Sequence, residues 1–191
     1  MYIANYELRI VNYIEGDMSD SDLDTFLNRS VIQMCTFRMA GRLFGVDILD
    51  VKEVNENVNI TPIYHAPPDV CGYINIRGQI LLVVNLHETF GLDQERKAEQ
   101  VTGGKIVVFK QSVDEPFGIL VDEVCDVVPI ETKRIVDRRS SGDTSESREL
   151  RHIRDEMVVG VYPLEKELLL VLNARLILSK GSKGVKPGEA A

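Results

Sequence analysis

The chain has 191 residues, of which 44% are hydrophobic and 27% are charged, and its formal net charge at pH 7 is −8. This length supports one domain, or two small barrels that share an interior. The anionic balance disfavours nucleic acid and anionic lipid as partners, because both bind through a positive footprint. No run of about 18 apolar residues and no secretory signal is present, so we expect a cytoplasmic protein without membrane insertion.

Residues 1–30 form a predicted leader that is polar and acidic. Ser21 or Asp20 is suited to cap a short helix there. Three apolar side chains would share one face of that helix: Leu23, Phe26 and Leu27. This face is suited to dock on its own domain or on a partner.

A β-rich domain is predicted over residues 31–178. Its predicted strands are 32–39, 43–46, 60–63, a hairpin within 72–86, 106–109, 117–121, 124–130, 157–162 and 168–172. Segment 48–54 is either a strand end or a single helical turn, and short helices are predicted from His87 to Gly91 and from Ala174 onward. Many short strands with few helices indicate a barrel or a sandwich.

Two polar segments interrupt or follow this domain. Residues 138–150 contain a single apolar side chain and are predicted to form a solvated loop. Residues 179–191 are rich in glycine, lysine and serine and are predicted to be disordered.

The sequence contains an internal echo. FGVDILDVKEV, from Phe44, resembles FGILVDEVCDV, from Phe117, and QILLVVN, from Gln79, resembles ELLLVLN, from Glu167. The matches recur in the same order, which predicts two related halves that fold as two small barrels with a groove between them. The alternative is chance repetition among apolar β-rich segments.

The histidine, glycine and cysteine residues do not have the spacing of a catalytic site or a metal site. His65, His87 and His152 lack the spacing of a metal site, and Gly103-Gly104-Lys105 precedes a strand rather than a helix, unlike a phosphate-binding loop. Three isolated cysteines without C-x-x-C spacing indicate buried, reduced thiols: Cys35, Cys71 and Cys125. We therefore predict no catalytic residues, no cofactor and no metal, and protein binding becomes the leading class.

One charged residue stands out within the apolar stretch GYINIRGQILLVVNL. Arg77 precedes Gly78, whose freedom at positive φ permits a tight hairpin turn. An arginine at such a tip is either a solubilising charge or an interface anchor that pairs with a carboxylate or stacks on a ring. Composition alone does not choose between these interpretations.

Four segments, taken in order, resemble the CheW family, the coupling proteins of bacterial chemosensory arrays: FRMAGRLFGVDILDVKEV, ITPIYHAPPDVCGYINIRGQILLVVNL, FGILVDEVCDVV and VVGVYPLEKELLLVLNARLIL. The resemblance runs from about residue 32 to residue 178. It implies a mainly β fold of two intertwined five-stranded SH3-like β-barrels with a few short helices. It also implies a non-catalytic adaptor that links the cytoplasmic tip of methyl-accepting chemoreceptors to the regulatory domain of the histidine kinase CheA, recruited to membrane-associated receptor arrays.

The resemblance also implies interface residues. The family's functional arginine corresponds to Arg77 in the pattern Asn75-Ile76-Arg77-Gly78. The segment that matches the kinase- and receptor-facing surface holds three candidates: Ile48, Val51 and Glu53. A further family strand implicated in receptor contact matches Ile106 and Val107. A core role for Val51 and a plain surface role for Glu53 remain open alternatives.

The chain departs from the family pattern after the Arg-Gly turn, where many members carry proline and aspartate and this chain has Leu82 or Val83 and Asn85. The long leader and the loop 138–150 suggest an alternative, an adaptor of a non-flagellar pathway for surface motility or development. A nucleic-acid-binding small barrel and a small enzyme or ligand sensor are further classes, which the acidity and the missing polar cluster disfavour.

Overall fold

The computed structural model describes residues 29–56, 59–92, 104–111, 113, 115–137 and 157–181. Its strands are β1 Val31–Met39, β2 Arg42–Asp47, β3 Val51–Glu56, β4 Val70–Ile76, β5 Gln79–Val84, β6 Lys105–Phe109, β7 Phe117–Val121, β8 Glu123–Glu131, β9 Val136–Asp137, β10 Val158–Pro163 and β11 Leu168–Leu172. The helices are α1 Leu86–Phe90, α2 Ala174–Gly181 and a 3-10 turn at Thr132–Arg134. The predicted leader helix and the predicted loop 138–150 lie outside the described residues.

The strands form two sheets with the same layout. Sheet A has the order β8-β1-β2-β11-β10-β9, and sheet B has the order β3-β6-β7-β5-β4. A single bridge between Thr61 and Tyr73 lies beside β4, at the position in sheet B that the two-residue β9 takes in sheet A. Each sheet therefore has five main strands and a vestigial sixth position, which agrees with the predicted five-stranded barrels.

The motifs that repeat in the sequence occupy equivalent positions in the two sheets, and each pairs with a motif of the other half. Phe44 of β2 pairs in parallel with Leu170 of β11 in sheet A, and Phe117 of β7 pairs in parallel with Leu82 of β5 in sheet B. Each echoed motif of one half thus meets the complementary motif of the other half. This exchange makes the two barrels intertwined, because β1 and β2 join strands of the second half and β6 and β7 join strands of the first.

Glycine marks the matching bulges of the two hairpins. The register shifts at Gly72 in β4 and at Gly160 in β10. At Gly72 the backbone has φ +142° and passes so near the Thr61 carbonyl that an added Cβ would lie 2.1 Å from that oxygen. Only glycine fits this position without displacing the segment at Gly72 or the segment at Thr61.

Three hydrophobic clusters hold the fold together. One lies within sheet A, one lies within sheet B, and the largest lies between the sheets. In β11, Leu169 and Val171 face the cluster of sheet A, whereas Leu170 and Leu172 face the shared cluster. Strands buried on both faces read as continuous apolar runs, which explains the sequence ELLLVLN.

The structure refines or changes four local predictions. Segment 60–63 is not a strand, since Thr61 makes only an isolated bridge. The segment 48–50 is a turn, so β3 begins at Val51. The closing helix continues to Gly181, three residues into the stretch predicted to be disordered. The interior between the sheets is filled by the shared cluster, so the two barrels are packed against each other.

A search of the described part of the chain finds no helix with the length and apolar character needed to cross a membrane.

Candidate protein-interaction site

Arg77 lies at the tip of the β4–β5 hairpin. Arg77 and Gly78 have φ values of 52° and 86°, and the flanking pair Ile76 and Gln79 are in register, so these two residues form the whole turn. Two successive residues at positive φ are typical of the type I′ turn, whose twist matches that of the strands. The Asn75 side chain accepts a hydrogen bond from the Gly78 N–H at 2.9 Å and braces the turn.

The tip of this hairpin meets the opposite edge strand of sheet B. Arg77 Nη2 lies 3.3 Å from Glu53 Oε2 of β3. Beside it, Lys52 Nζ donates to Gln79 Oε1 at 2.9 Å. Since β3 and the hairpin stand at the two ends of the sheet, these contacts show that sheet B curls until its ends approach each other.

The two members of the ion pair differ in exposure. The Arg77 side chain is 85% exposed, whereas that of Glu53 is 20% exposed. An exposed ion pair contributes little to stability, typically about 0–1 kcal/mol. The guanidinium therefore keeps most of its donors available to a second carboxylate or to an aromatic ring.

The other predicted interface residues lie deeper. Ile106 and Val107 are buried in β6, the first against the core of sheet B and the second in the shared core. Val51 is buried in the shared core, and Ile48 is half-buried against it. The structure thus brings Arg77, Glu53 and Asn75 together, whereas the four apolar candidates belong to the cores or pack against them.

An exposed apolar residue that no sequence pattern indicated adjoins the surface at Arg77. Ile80 pairs with Asn75 across the hairpin and is 69% exposed. Its neighbours on the same face, Leu82 and Val84, pack against the shared core. The run QILLVV gives no signal that its first apolar residue extends beyond that core.

The histidine side chain of α1 is buried and lies close to polar side chains. His87 is buried at the start of α1, where its Nδ1 lies 3.2 Å from Asn85 Oδ1 and its Nε2 lies 3.3 Å from Asp122 Oδ2. Among the described residues, no three histidine, cysteine, aspartate or glutamate side chains are grouped to hold a metal ion. His152 lies outside the described residues.

The three cysteines are unpaired by disulfides, and only Cys35 is fully buried, whereas Cys71 and Cys125 are half-buried. Burial raises the pKa of Cys71 to about 12, with the Asp69 carboxylate adding to the rise. Burial is also the main cause of a raised pKa at Cys35 and Cys125. Thiols with raised pKa values are poor nucleophiles at neutral pH, as expected of structural cysteines.

Intertwined small barrels that carry an exposed arginine on a braced turn form a module suited to holding other proteins. The chain belongs to the CheW-like domain family, whose sequence profile matches residues 33–182.

Similar proteins cover most of the chain. The chemotaxis protein CheW of Treponema pallidum (strain Nichols) is 26% identical over 155 residues, which are 80% of this chain and 85% of that protein. The chemotaxis protein CheW of Rhizobium meliloti (strain 1021) is 31% identical over 103 residues, 54% of this chain and 64% of that protein. The crystal structure of the scaffolding protein TtCheW from Thermoanaerobacter tengcongensis superposes with a TM-score of 0.58 at 26% identity, covering 74% of this chain and 88% of that one.

Proposed function

We propose that this chain is a non-catalytic scaffolding adaptor in bacterial chemotaxis signalling. It would link the cytoplasmic tip of methyl-accepting chemoreceptors to the regulatory domain of a CheA-type histidine kinase, and it would be recruited to membrane-associated receptor arrays by those partners. Support comes from the family membership and from relatives named as chemotaxis and scaffolding proteins. The single observation that carries the proposal is the exposed Arg77, held by a braced turn against Glu53.

The chemistry of this site suits a partner surface with a carboxylate or an aromatic ring. Arginine binds both, and its planar fork fixes the geometry of the contact. Glu53 limits the rotamers of Arg77 before binding, which lowers the entropy lost when a partner docks. Because the Arg77 side of the pair is exposed, a partner carboxylate can join Glu53 in binding the guanidinium.

Apolar contacts beside the arginine supply the remaining part of the surface. Ile80 is exposed on the hairpin that carries Arg77, and Val54 is exposed on the face of β3 opposite to Glu53. Ile48 adds a half-buried apolar surface at the β2–β3 turn. In this proposal Val51, Ile106 and Val107 hold β3 and β6 in place beneath the surface.

Weak individual contacts are compatible with a stable assembly. An adaptor that holds two partners within an array raises the effective concentration of each for the other, so the affinity of one site need not be high.

Co-purification with the histidine kinase and receptors of the source cell tests the proposal. We expect the wild-type chain to retain both, and Arg77→Glu to lose at least one of them while keeping the wild-type melting temperature. Arg134→Glu is the matched control, because Arg134 is also an exposed arginine but belongs to the 3-10 turn after β8 in sheet A. Retention of both partners by Arg77→Glu at wild-type affinity would contradict the assignment of Arg77.

A further inference from the structure

The face of β1 and β8 that points away from the core of sheet A meets the shared core at Cys35 and exposes apolar side chains beyond it. Val31 of β1 is 49% exposed and Val127 of β8 is 48% exposed. In the same register Gln33 of β1 pairs with Pro129 of β8, and both are exposed. The opposite faces of these strands carry Ile32, Met34 and Ile130 into the core of sheet A. We call the outer surface of Val31, Gln33, Val127 and Pro129 the β1–β8 face.

The β1–β8 face is bordered by a further apolar residue. Leu49, in the β2–β3 turn, is 56% exposed. The turn lies next to β1, since the Ile48 N–H donates to the Gln33 carbonyl at 2.9 Å. Several exposed apolar residues on adjoining strands are a feature of surfaces that another chain segment covers, whereas single ones are common on any protein.

The leader joins the domain at the border of this face. Arg29 forms an ion pair with Asp47, whose other carboxylate oxygen accepts a hydrogen bond from the Leu49 N–H at 3.0 Å. On the other side, the Thr132 hydroxyl donates to the Arg29 carbonyl at 3.0 Å. Residue 29 is thus held between the β2–β3 turn and the end of β8, with the exposed face beside it.

Arg29 also has an unused donor. Its Nε atom is buried and has no hydrogen-bond partner among the residues that the structure describes. A buried donor without an acceptor is costly, so an acceptor is expected from a segment that lies over it.

The chain immediately before Arg29 has the composition that this face requires. Leu23, Phe26 and Leu27 have the spacing of one helical face, and three aspartates alternate with them: Asp20, Asp22 and Asp24. Phe26 precedes Arg29 by three residues, so its Cα lies within about 11 Å of the Arg29 Cα in any conformation. A segment tethered this closely has a high effective concentration at the face.

Charge favours the same arrangement. Lys133 and Arg134 are exposed directly after Thr132, the residue that anchors Arg29. The aspartates of the leader can approach these cations when the apolar side chains lie on the β1–β8 face.

We propose that residues 20–28 dock on the β1–β8 face of their own chain through Leu23, Phe26 and Leu27. The leader then covers one face of sheet A. Arg77 lies at the tip of a hairpin in sheet B and stays accessible to the proposed partner. This inference does not depend on the proposed function.

Methyl-labelled NMR of the full chain tests the docking, with Phe26→Asp compared with Thr25→Asp. Both variants add one negative charge, but residue 25 lies on the opposite side of the predicted helix from Phe26 and its neighbours. In the wild type we expect nuclear Overhauser contacts from the Phe26 ring to the methyl groups of Val31 and Val127. Phe26→Asp, which removes the ring, should shift the Val31, Val127 and Leu49 methyl resonances. Thr25→Asp should leave these resonances and the contacts of the Phe26 ring in place.

Three results would overturn the proposal. The first is the absence of contacts between Phe26 and the face in the wild type. The second is an equal effect of the two substitutions. The third is contacts that appear only between differently labelled copies and grow with protein concentration, because a second copy would then be the occupant. The Leu81 and Val83 methyl resonances, which belong to the core of sheet B, report that each variant remains folded.

Discussion

At the scale of single residues, the candidate site depends on how Asn75 and Glu53 position Arg77. Arg77 adopts positive φ although it is not glycine, a conformation that costs about 1 kcal/mol or more for most residues. The bond from the Gly78 N–H to the Asn75 side chain helps to hold this turn. Glu53 then limits the directions in which the guanidinium points.

Replacing Asn75 tests the brace. Asn75→Ala should lower the free energy of unfolding by about 0.5–1 kcal/mol, because it removes one hydrogen bond on an exposed turn. Urea denaturation measures this change, and the conservative variant Asn75→Asp should recover most of it, since a carboxylate also accepts from the Gly78 N–H. An equal loss in both variants would contradict the brace.

Asp50 gives the molecule a predicted pH dependence. Burial and the neighbouring Asp47 raise the pKa of the Asp50 carboxyl, against the lowering effect of Arg175, Lys110 and Arg29. Because the pKa of Asp50 is raised in the folded state, the protonated carboxyl stabilises the folded protein at pH values below the unfolded pKa. This stabilisation is lost as the pH rises through the folded pKa. Asp50→Asn should therefore stabilise the protein at pH 7, by about 0.5 kcal/mol for a partly exposed group, and not below the unfolded carboxyl pKa.

Thermal unfolding between pH 3 and about pH 8 measures the difference for Asp50→Asn. The control is Asp126→Asn, which removes the same charge at an exposed position of β8. Lower stability of Asp50→Asn at pH 7 would show that the three nearby cations outweigh burial.

At the scale of elements, the sequence predicts where the strands lie but not which of their side chains are buried. Phe117–Val121 and Leu168–Leu172 begin and end where the pattern predicts. The family resemblance implied interface roles for Ile106 and Val107, and both are buried. Their apolar run alone does not reveal whether its side chains contact a core or a partner. Ile80 shows the reverse, an exposed residue concealed in an apolar run.

Other element boundaries depend on tertiary contacts that no local pattern encodes. The two residues of β9 are strand only because Val136 and Asp137 meet β10. Segment 60–63 has strand-like composition, yet only Thr61 finds a partner, at Tyr73. Helix α2 continues beyond Leu178 because the polar composition that predicts disorder does not forbid another helical turn.

The Gly72 bulge is the element-scale feature that is most sensitive to substitution. Gly72→Ala should destabilise the fold by at least about 2 kcal/mol, because the new Cβ would overlap the Thr61 carbonyl at an unfavourable φ. Gly41→Ala is the matched control, since Gly41 also has positive φ but has no atom within 4 Å of an added Cβ. If the two variants lost similar amounts of unfolding free energy, the close approach of the backbone to Thr61 would not be the cause.

At the scale of the whole molecule, the shared core joins the two barrels into one body. Phe44 of β2 stacks on Phe37 of β1 and on Phe90 of α1, with ring centroids 6.3 Å and 5.7 Å apart. These rings bring sheet A into contact with the helix that follows β5 of sheet B. The repeated motifs predicted two related halves and the family resemblance implied that the barrels intertwine, whereas the location of the largest cluster between the barrels could be seen only in three dimensions.

Removing the central ring tests whether the barrels unfold together. Phe44→Ala should lower the free energy of unfolding by about 3–5 kcal/mol, as for other buried phenylalanines. Hydrogen exchange should then rise by similar factors in both sheets. Faster exchange confined to sheet A would show that the barrels are separate cooperative units.

The charge swap between Arg77 and Glu53 tests the central claim most directly. The binding affinity of the purified chain for the recovered kinase regulatory domain and receptor tip is measured for the wild type, for Arg77→Glu, and for the double variant Arg77→Glu with Glu53→Arg. We expect both variants to lose at least tenfold in affinity for at least one partner, because that partner binds the guanidinium at the hairpin tip. Wild-type affinity in the double variant would contradict the account, since an ion pair within the chain would then be all that Arg77 provides.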